Sequence, residues 1–560
     1  MNLKANYAII ILLAFVLQGK TQTIVNSRHN LSVSGRGKVK SLEESGICDF
    51  CHVKHSSNPK KAQWLNKKEG KFYTLYSSST LQALPGQPDG SSILCLSCHD
   101  GTTALGHMLA PNYDIGFSAG LSTMPTGGTN LSTDLSDDHP ISFIYNSHLA
   151  TADGNLKDPA SIMMPMKLEN EKVQCTSCHD PHKNMNSKFL VVSNQYSELC
   201  ISCHLKEYWL TSAHRNSPAR WNGSGNNPWF HTAYTSVSEN ACENCHNPHS
   251  AGGKERLLKY ETEENNCLDC HNGNVAKTNI QAQLNKPYKH DVYNQKLVHD
   301  ANEEAIITKQ HAECSDCHNP HSTCNNTASA PYVKGFNMGT RGVDQKDQEI
   351  DPVQYEYEIC YRCHSESPDK PQGKTKRQIE QSNVRLEFDQ SNPSFHPIVS
   401  QGKNMDVPSL ISPISESTII YCTDCHASDG QKSPSGPHGS IYPQILKFNY
   451  NRDGDTYSMS YNAYELCYQC HDMNTLKNTH AKIGPSHSEM TSCNTCHDPH
   501  GISSSQGNSI NNAYLINFNT AIVSTNSKDE LNYISLGSGR GLCSIRCHDH
   551  EHNKATYPKL

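Results

Sequence analysis

The chain is poor in the residues that build a conventional core. Only 35% of its 560 residues are hydrophobic even with tyrosine counted, and four are tryptophan. Globular chains run at about 45–50% apolar, so a series of ordinary domains, each with a large side-chain core, is excluded. An excess of one charge is also missing. With 48 basic and 55 acidic residues the net charge is -7, which argues against a basic face for nucleic acid or lipid. It also falls short of the high net charge that keeps apolar-poor chains disordered. Something other than side chains must supply the core. Long apolar runs are lacking beyond the N-terminus. Tyr7 to Leu17, behind Lys4, is the one such run. A membrane-spanning helix needs about 20 residues, so this run has instead the dimensions of a signal-peptide core. Residues 1–22 read as a signal peptide, cut between Gly19 and Thr23. The expected mature chain is exported, to the periplasm or the outer surface, with no transmembrane segment.

Cysteine and histidine are abundant, at 25 and 32 residues. The odd cysteine count rules out complete disulfide pairing. Eleven times the chain reads Cys-x-x-Cys-His. The motifs are Cys48, Cys51, His52; Cys95, Cys98, His99; Cys175, Cys178, His179; Cys200, Cys203, His204; Cys242, Cys245, His246; and Cys267, Cys270, His271. They continue with Cys314, Cys317, His318; Cys360, Cys363, His364; Cys422, Cys425, His426; Cys467, Cys470, His471; and Cys493, Cys496, His497. A twelfth, Cys543, Cys547, His548, has one more residue between its thiols, and only Cys324 is left over.

This spacing serves c-type haem attachment. Two thiols on one turn add to two vinyl groups on one porphyrin edge, and the adjacent His becomes the proximal iron ligand. A zinc ribbon also pairs its thiols but does not require His in the next position. His after all eleven pairs by chance has a probability on the order of 10^-14. About twelve haems c are therefore expected, the twelfth on the weaker motif.

The motifs come in pairs, an internal repeat that sets the organisation. First cysteines within the six pairs lie 47, 25, 25, 46, 45 and 50 residues apart. The expected divisions are 23–130, 131–225, 226–285, 286–385, 386–480 and 481–560, one pair each. Linkers such as Asn222 to Pro228 are rich in Gly, Asn and Pro and read as loops. Short helices are expected at the motifs, and a minor strand at Val384 to Phe388.

Cys175-Thr-Ser-Cys-His-Asp-Pro-His182, Cys242-Glu-Asn-Cys-His-Asn-Pro-His249, Cys314-Ser-Asp-Cys-His-Asn-Pro-His321 and Cys493-Asn-Thr-Cys-His-Asp-Pro-His500 share one pattern, with Cys48 to His55 a looser version. In these elements the chain resembles the doubled-CxxCH multihaem c-type cytochromes. The resemblance implies a fold of loops and short helices wrapped around a chain of covalently bound haems. It implies electron transfer, in anaerobic or extracellular respiration, with donor and acceptor redox proteins or extracellular metal or mineral acceptors as partners. A filament or an outer-membrane complex are both open.

Twenty histidines remain after the twelve proximal ones. Each pair can draw two distal ligands from them. One follows the first motif: His55, His182, His249, His321, His438 and His500, with His438 set farther out than the rest. These lie too close to turn back onto the same iron and should serve a neighbouring haem. The other precedes the first motif: His29, His139, His231, His290, His396 and His487. His311 competes with His290, and His480 with His487. His107, His148, His214, His299, His550 and His552 read as spares. Imidazole on both faces leaves no open iron position, so the chain reads as an electron carrier, not an enzyme, with no catalytic residues. The alternative is a multihaem reductase with one open haem, acting on nitrite, hydroxylamine or a sulfur oxyanion.

Overall fold

The computed structural model describes residues 24–52, 71–102, 105, 115–120, 122–293, 299–300, 302–304, 306, 311–431, 433–451, 460–481, 492–547 and 549–557. The leader and the histidines His55, His107, His487 and His548 lie outside these. Most of the described chain is loop, broken by short helices and two-residue strands. The longest helix among the described residues is Gly90–His99. No described helix is long and apolar enough to cross a membrane.

Two compact units form. One comprises 1–209 and 229–261, and the other 210–228 and 262–560. Neither has a single large core. The apolar residues gather in small clusters, as the low hydrophobic content requires. One in the second unit joins Val343, Tyr357, Tyr361, Phe388, Phe395, Ile398 and Val399. Full burial of residues such as Val343 or Phe395 contributes roughly 1.5–3 kcal/mol each.

The second unit ends in a four-stranded antiparallel sheet. Strand Arg540–Cys547 is central, pairing with His550–Tyr557 on one side and with Val523–Ser524 and Asn532–Gly537 on the other. The expected strand at Val384 to Phe388 is instead a helical turn, Val384–Glu387. The Asn383 side chain accepts from the Arg385 and Leu386 amides and so caps a helix start, which outweighs the apolar alternation.

Candidate functional site

The Cys-x-x-Cys-His stretches fold as single turns. The His amide donates to the first cysteine's carbonyl in motif after motif: 2.8 Å for His52, 2.9 Å for His179, 3.0 Å for His318 and 2.9 Å for His497. Reciprocal caps start several of these turns, with Gln174, Glu313 or Tyr421 ahead of the first cysteine. One turn thereby carries both thiols and the imidazole. The twelfth motif differs. Cys543 and Cys547 both lie on strand Arg540–Cys547 and are buried in the apolar cluster around Phe518. At about 3.3 Å per residue their α-carbons are about 13 Å apart. That is too far for both to reach one porphyrin edge, so in this conformation the twelfth motif does not fit a haem.

Proximal rings are oriented from behind. Carbonyls accept from Nδ1 of His99 (Thr129, 2.7 Å), His179 (Lys188, 2.8 Å), His246 (Arg256, 2.8 Å), His318 (Phe336, 2.8 Å), His426 (Gln444, 2.9 Å) and His497 (Tyr514, 2.8 Å). Four of these carbonyls sit on left-handed non-glycine residues, Lys188, Arg256, Gln444 and Tyr514, with φ of 55–58°. Such strain costs about 1–3 kcal/mol per residue and persists where a site needs it. Sequence reading missed these bends. Their signal is a polar residue before two apolar ones, as in Lys188-Phe-Leu190 and Gln444-Ile-Leu446. Nδ1 held by an acceptor leaves Nε2 for a metal.

A second imidazole stands across from most proximal ones. Ring centroids are 6.2 Å apart for His29 and His99, 6.0 Å for His52 and His182, and 6.2 Å for His179 and His249. The separation is 6.2 Å for His139 and His204, 6.2 Å for His214 and His271, and 6.4 Å for His290 and His364. It is 6.1 Å for His318 and His438, 6.1 Å for His426 and His500, and 6.2 Å for His480 and His497. His396 lies near His471, and after burial it is what lowers that ring's proton affinity. A metal–nitrogen bond of about 2 Å on each side, plus the ring radii, spans about 6 Å.

The second imidazoles are also held at Nδ1. Pro320 O accepts from His214 at 2.8 Å and Pro437 O from His290 at 3.0 Å, and Pro499 O plays the same part for His396. Carboxylates do it for His249 (Asp138, 2.9 Å) and His500 (Glu387, 2.8 Å). Nδ1 of His438 is buried, with no hydrogen-bond partner within bonding distance among the described residues. Burial first, then neighbouring imidazoles, holds His271, His364, His426 and His497 down at about 4. They are neutral near pH 7, as a metal ligand must be.

Two expectations change. His214, read as a spare, faces His271, while His231 lies exposed beside Phe230 at 4.9 Å. His231 stands 11 residues before Cys242, whereas His290 and His396 stand 24 and 26 before their first cysteines. His480 faces His497, the place for which the sequence favoured His487. Of the remaining candidates, His321 is half-buried, its amide donating to Asn319 Oδ1 at 3.0 Å.

Neighbouring motifs touch through their thiols, alternately first with first and second with second. First thiols lie beside each other in Cys95 with Cys175, Cys200 with Cys242, Cys360 with Cys422 and Cys467 with Cys493. Second thiols neighbour each other in Cys51 with Cys98, Cys178 with Cys203 and Cys425 with Cys470. A recurrent latch joins the first kind. An acceptor three or four residues before one first cysteine takes the backbone N–H of the next motif. Cys175 N donates to Ser92 Oγ (3.0 Å), Cys242 N to Ser197 Oγ (2.8 Å), Ser315 N to Glu263 Oε1 (2.7 Å) and Thr423 N to Glu356 Oε1 (3.1 Å).

Three stretches, residues 169–207, 235–276 and 412–475, match the family model of the doubled CXXCH motif. This supports a multihaem c-type cytochrome family and covalently bound c-type haem. No curated protein matched the chain.

Proposed function

We propose that this protein is an electron carrier holding haem c on its eleven turn-borne motifs, each iron ligated by two histidines. The observation that carries the reading is the set of imidazole pairs 6.0–6.4 Å apart, each with room for one iron. The haem supplies a one-electron Fe(III)/Fe(II) couple, at low potential with two imidazole ligands. The chain's residues do the rest. The thiols tether the porphyrins, the carbonyls and carboxylates behind Nδ1 fix the rings, and the latches hold successive motifs side by side. Motifs that touch in chain order support a route that runs along the sequence within each unit. The short leader supports export, and the partners would be donor and acceptor redox proteins, with metal or mineral acceptors if the protein reaches the surface.

Electron paramagnetic resonance of the oxidised, haem-loaded protein tests this against a reductase. Low-spin iron throughout and no carbon monoxide binding after reduction is the expected result. A high-spin ferric haem at full occupancy would turn the reading toward an open catalytic haem.

A second reading concerns assembly. His182, His249, His438 and His500 each face a proximal histidine of the motif pair before their own. By the same rule His55, in the pair numbered first, would serve a pair other than the six numbered here. A second copy would provide one, and repetition would give a filament. Native mass and electron microscopy of the haem-loaded protein, with His55→Ala as the comparison, test it.

A further inference from the structure

The haem reading leaves one buried group of ionisable residues unused, and it lies between the seventh and eighth motifs. Asp316 is the third residue of Cys314-Ser-Asp-Cys-His318, and Arg362 the third of Cys360-Tyr-Arg-Cys-His364. Arg362 Nη1 donates to Asp316 Oδ1 at 3.0 Å and Nη2 to Glu303 Oε2 at 2.9 Å. His299 Nδ1 lies 3.0 Å from Glu313 Oε2 and 3.6 Å from Asp316 Oδ1. Its amide donates to Glu263 Oε2 at 3.2 Å. His311 Nε2 lies 2.8 Å from Glu303 Oε1. The arginine and aspartate side chains are 3% and 8% exposed, and the His299 side chain 12%, so water screens these charges poorly.

The balance of charge is uneven. Of the four carboxylates here, Glu303 and Asp316 hold Arg362, while Glu263 and Glu313 meet His299. Buried charge has to be paired, and the imidazoles are the groups that can supply the remainder. A divalent cation would have to displace Arg362, which already occupies both Asp316 and Glu303. His299 is not among the histidines paired for iron. The carboxylates around it oppose burial and raise its proton affinity above the ordinary histidine value.

We propose that His299 is a proton-binding site coupled to the redox state of the haems on the seventh and eighth motifs. The proposal rests on the electron-carrier reading. When a donor redox protein delivers one electron, one Fe(III) becomes Fe(II) and the pair loses one positive charge. Where pH lies between the ring's affinities in the oxidised and reduced protein, His299 then takes up to one proton from solvent to form an N–H bond, and no bond to carbon or iron is made or broken. Coupling is reciprocal. Electron entry raises the ring's proton affinity, and a protonated ring makes electron entry easier.

The test reduces the full haem-loaded protein at an electrode in lightly buffered solution and counts electrons and protons taken up per chain between pH 6 and 8. His299→Gln should accept the same number of electrons and take up fewer protons, by up to one per chain. The wild-type proton count in a variant with full haem content would overturn the proposal. If His299→Gln does not accumulate with haem, Glu313→Gln, which keeps the shape and removes the charge, is read in the same way. A wild-type protein that is colourless or passes no charge would instead sink the electron-carrier reading itself.

Discussion

His214 and His271 face each other across 6.2 Å with their rings 88° apart, although 57 residues and a motif separate them in the chain. Pro320 O holds His214 from behind at 2.8 Å. The segment 210–228 belongs to one compact unit with residues 262–560, and this carries His214 to the sixth motif. In the haem-loaded protein, His214→Ala should open one iron. About one haem per chain should turn high-spin and bind carbon monoxide after reduction.

Glu387 accepts from His500 Nδ1 at 2.8 Å, and a carboxylate in that position makes an imidazole a stronger electron donor to iron. Glu387→Gln keeps an acceptor but removes the charge. One haem should become easier to reduce, seen as an upward move of one component in a spectroelectrochemical titration at unchanged haem content.

The strand-borne cysteines make a countable prediction. With haem on eleven motifs, Cys324, Cys543 and Cys547 stay as thiols, so a thiol reagent should find three per denatured chain, and the intact mass should exceed the polypeptide by eleven haems. One thiol and twelve haems would mean that the end of strand Arg540–Cys547 opens to wrap a porphyrin.

The stability of the second unit should depend on pH through His299. Its proton affinity is raised in the folded state, against desolvation, by the Glu313 hydrogen bond and then by Asp316 and Glu263. The contribution is therefore fully present below the unfolded value near 6.5 and fades as pH rises through the higher folded value. His299→Gln should cost about 1–2 kcal/mol at pH 6, seen as a lower Tm. The gap from wild type should close toward alkaline pH.

Sequence spacing alone reached the turns that carry two thiols and an imidazole, and the loop-dominated fold, because attachment chemistry is local. Two thiols and an imidazole must share one turn, and four or five residues suffice to write that. The Pro-His ending of the motifs was equally visible, and so was the rule that such a histidine serves a neighbouring site. Three things were decided only in the tertiary structure. His214 rather than His231 meets His271, because the loop that carries it docks on distant residues. The twelfth thiol pair lies on a strand, because pairing with Asn532–Gly537 and His550–Tyr557 extends the chain there. Asp316 and Arg362 form one buried ion pair, because two turns 46 residues apart pack side by side. Local geometry is set by covalent spacing, whereas ligand choice and charge pairing depend on which loops come together.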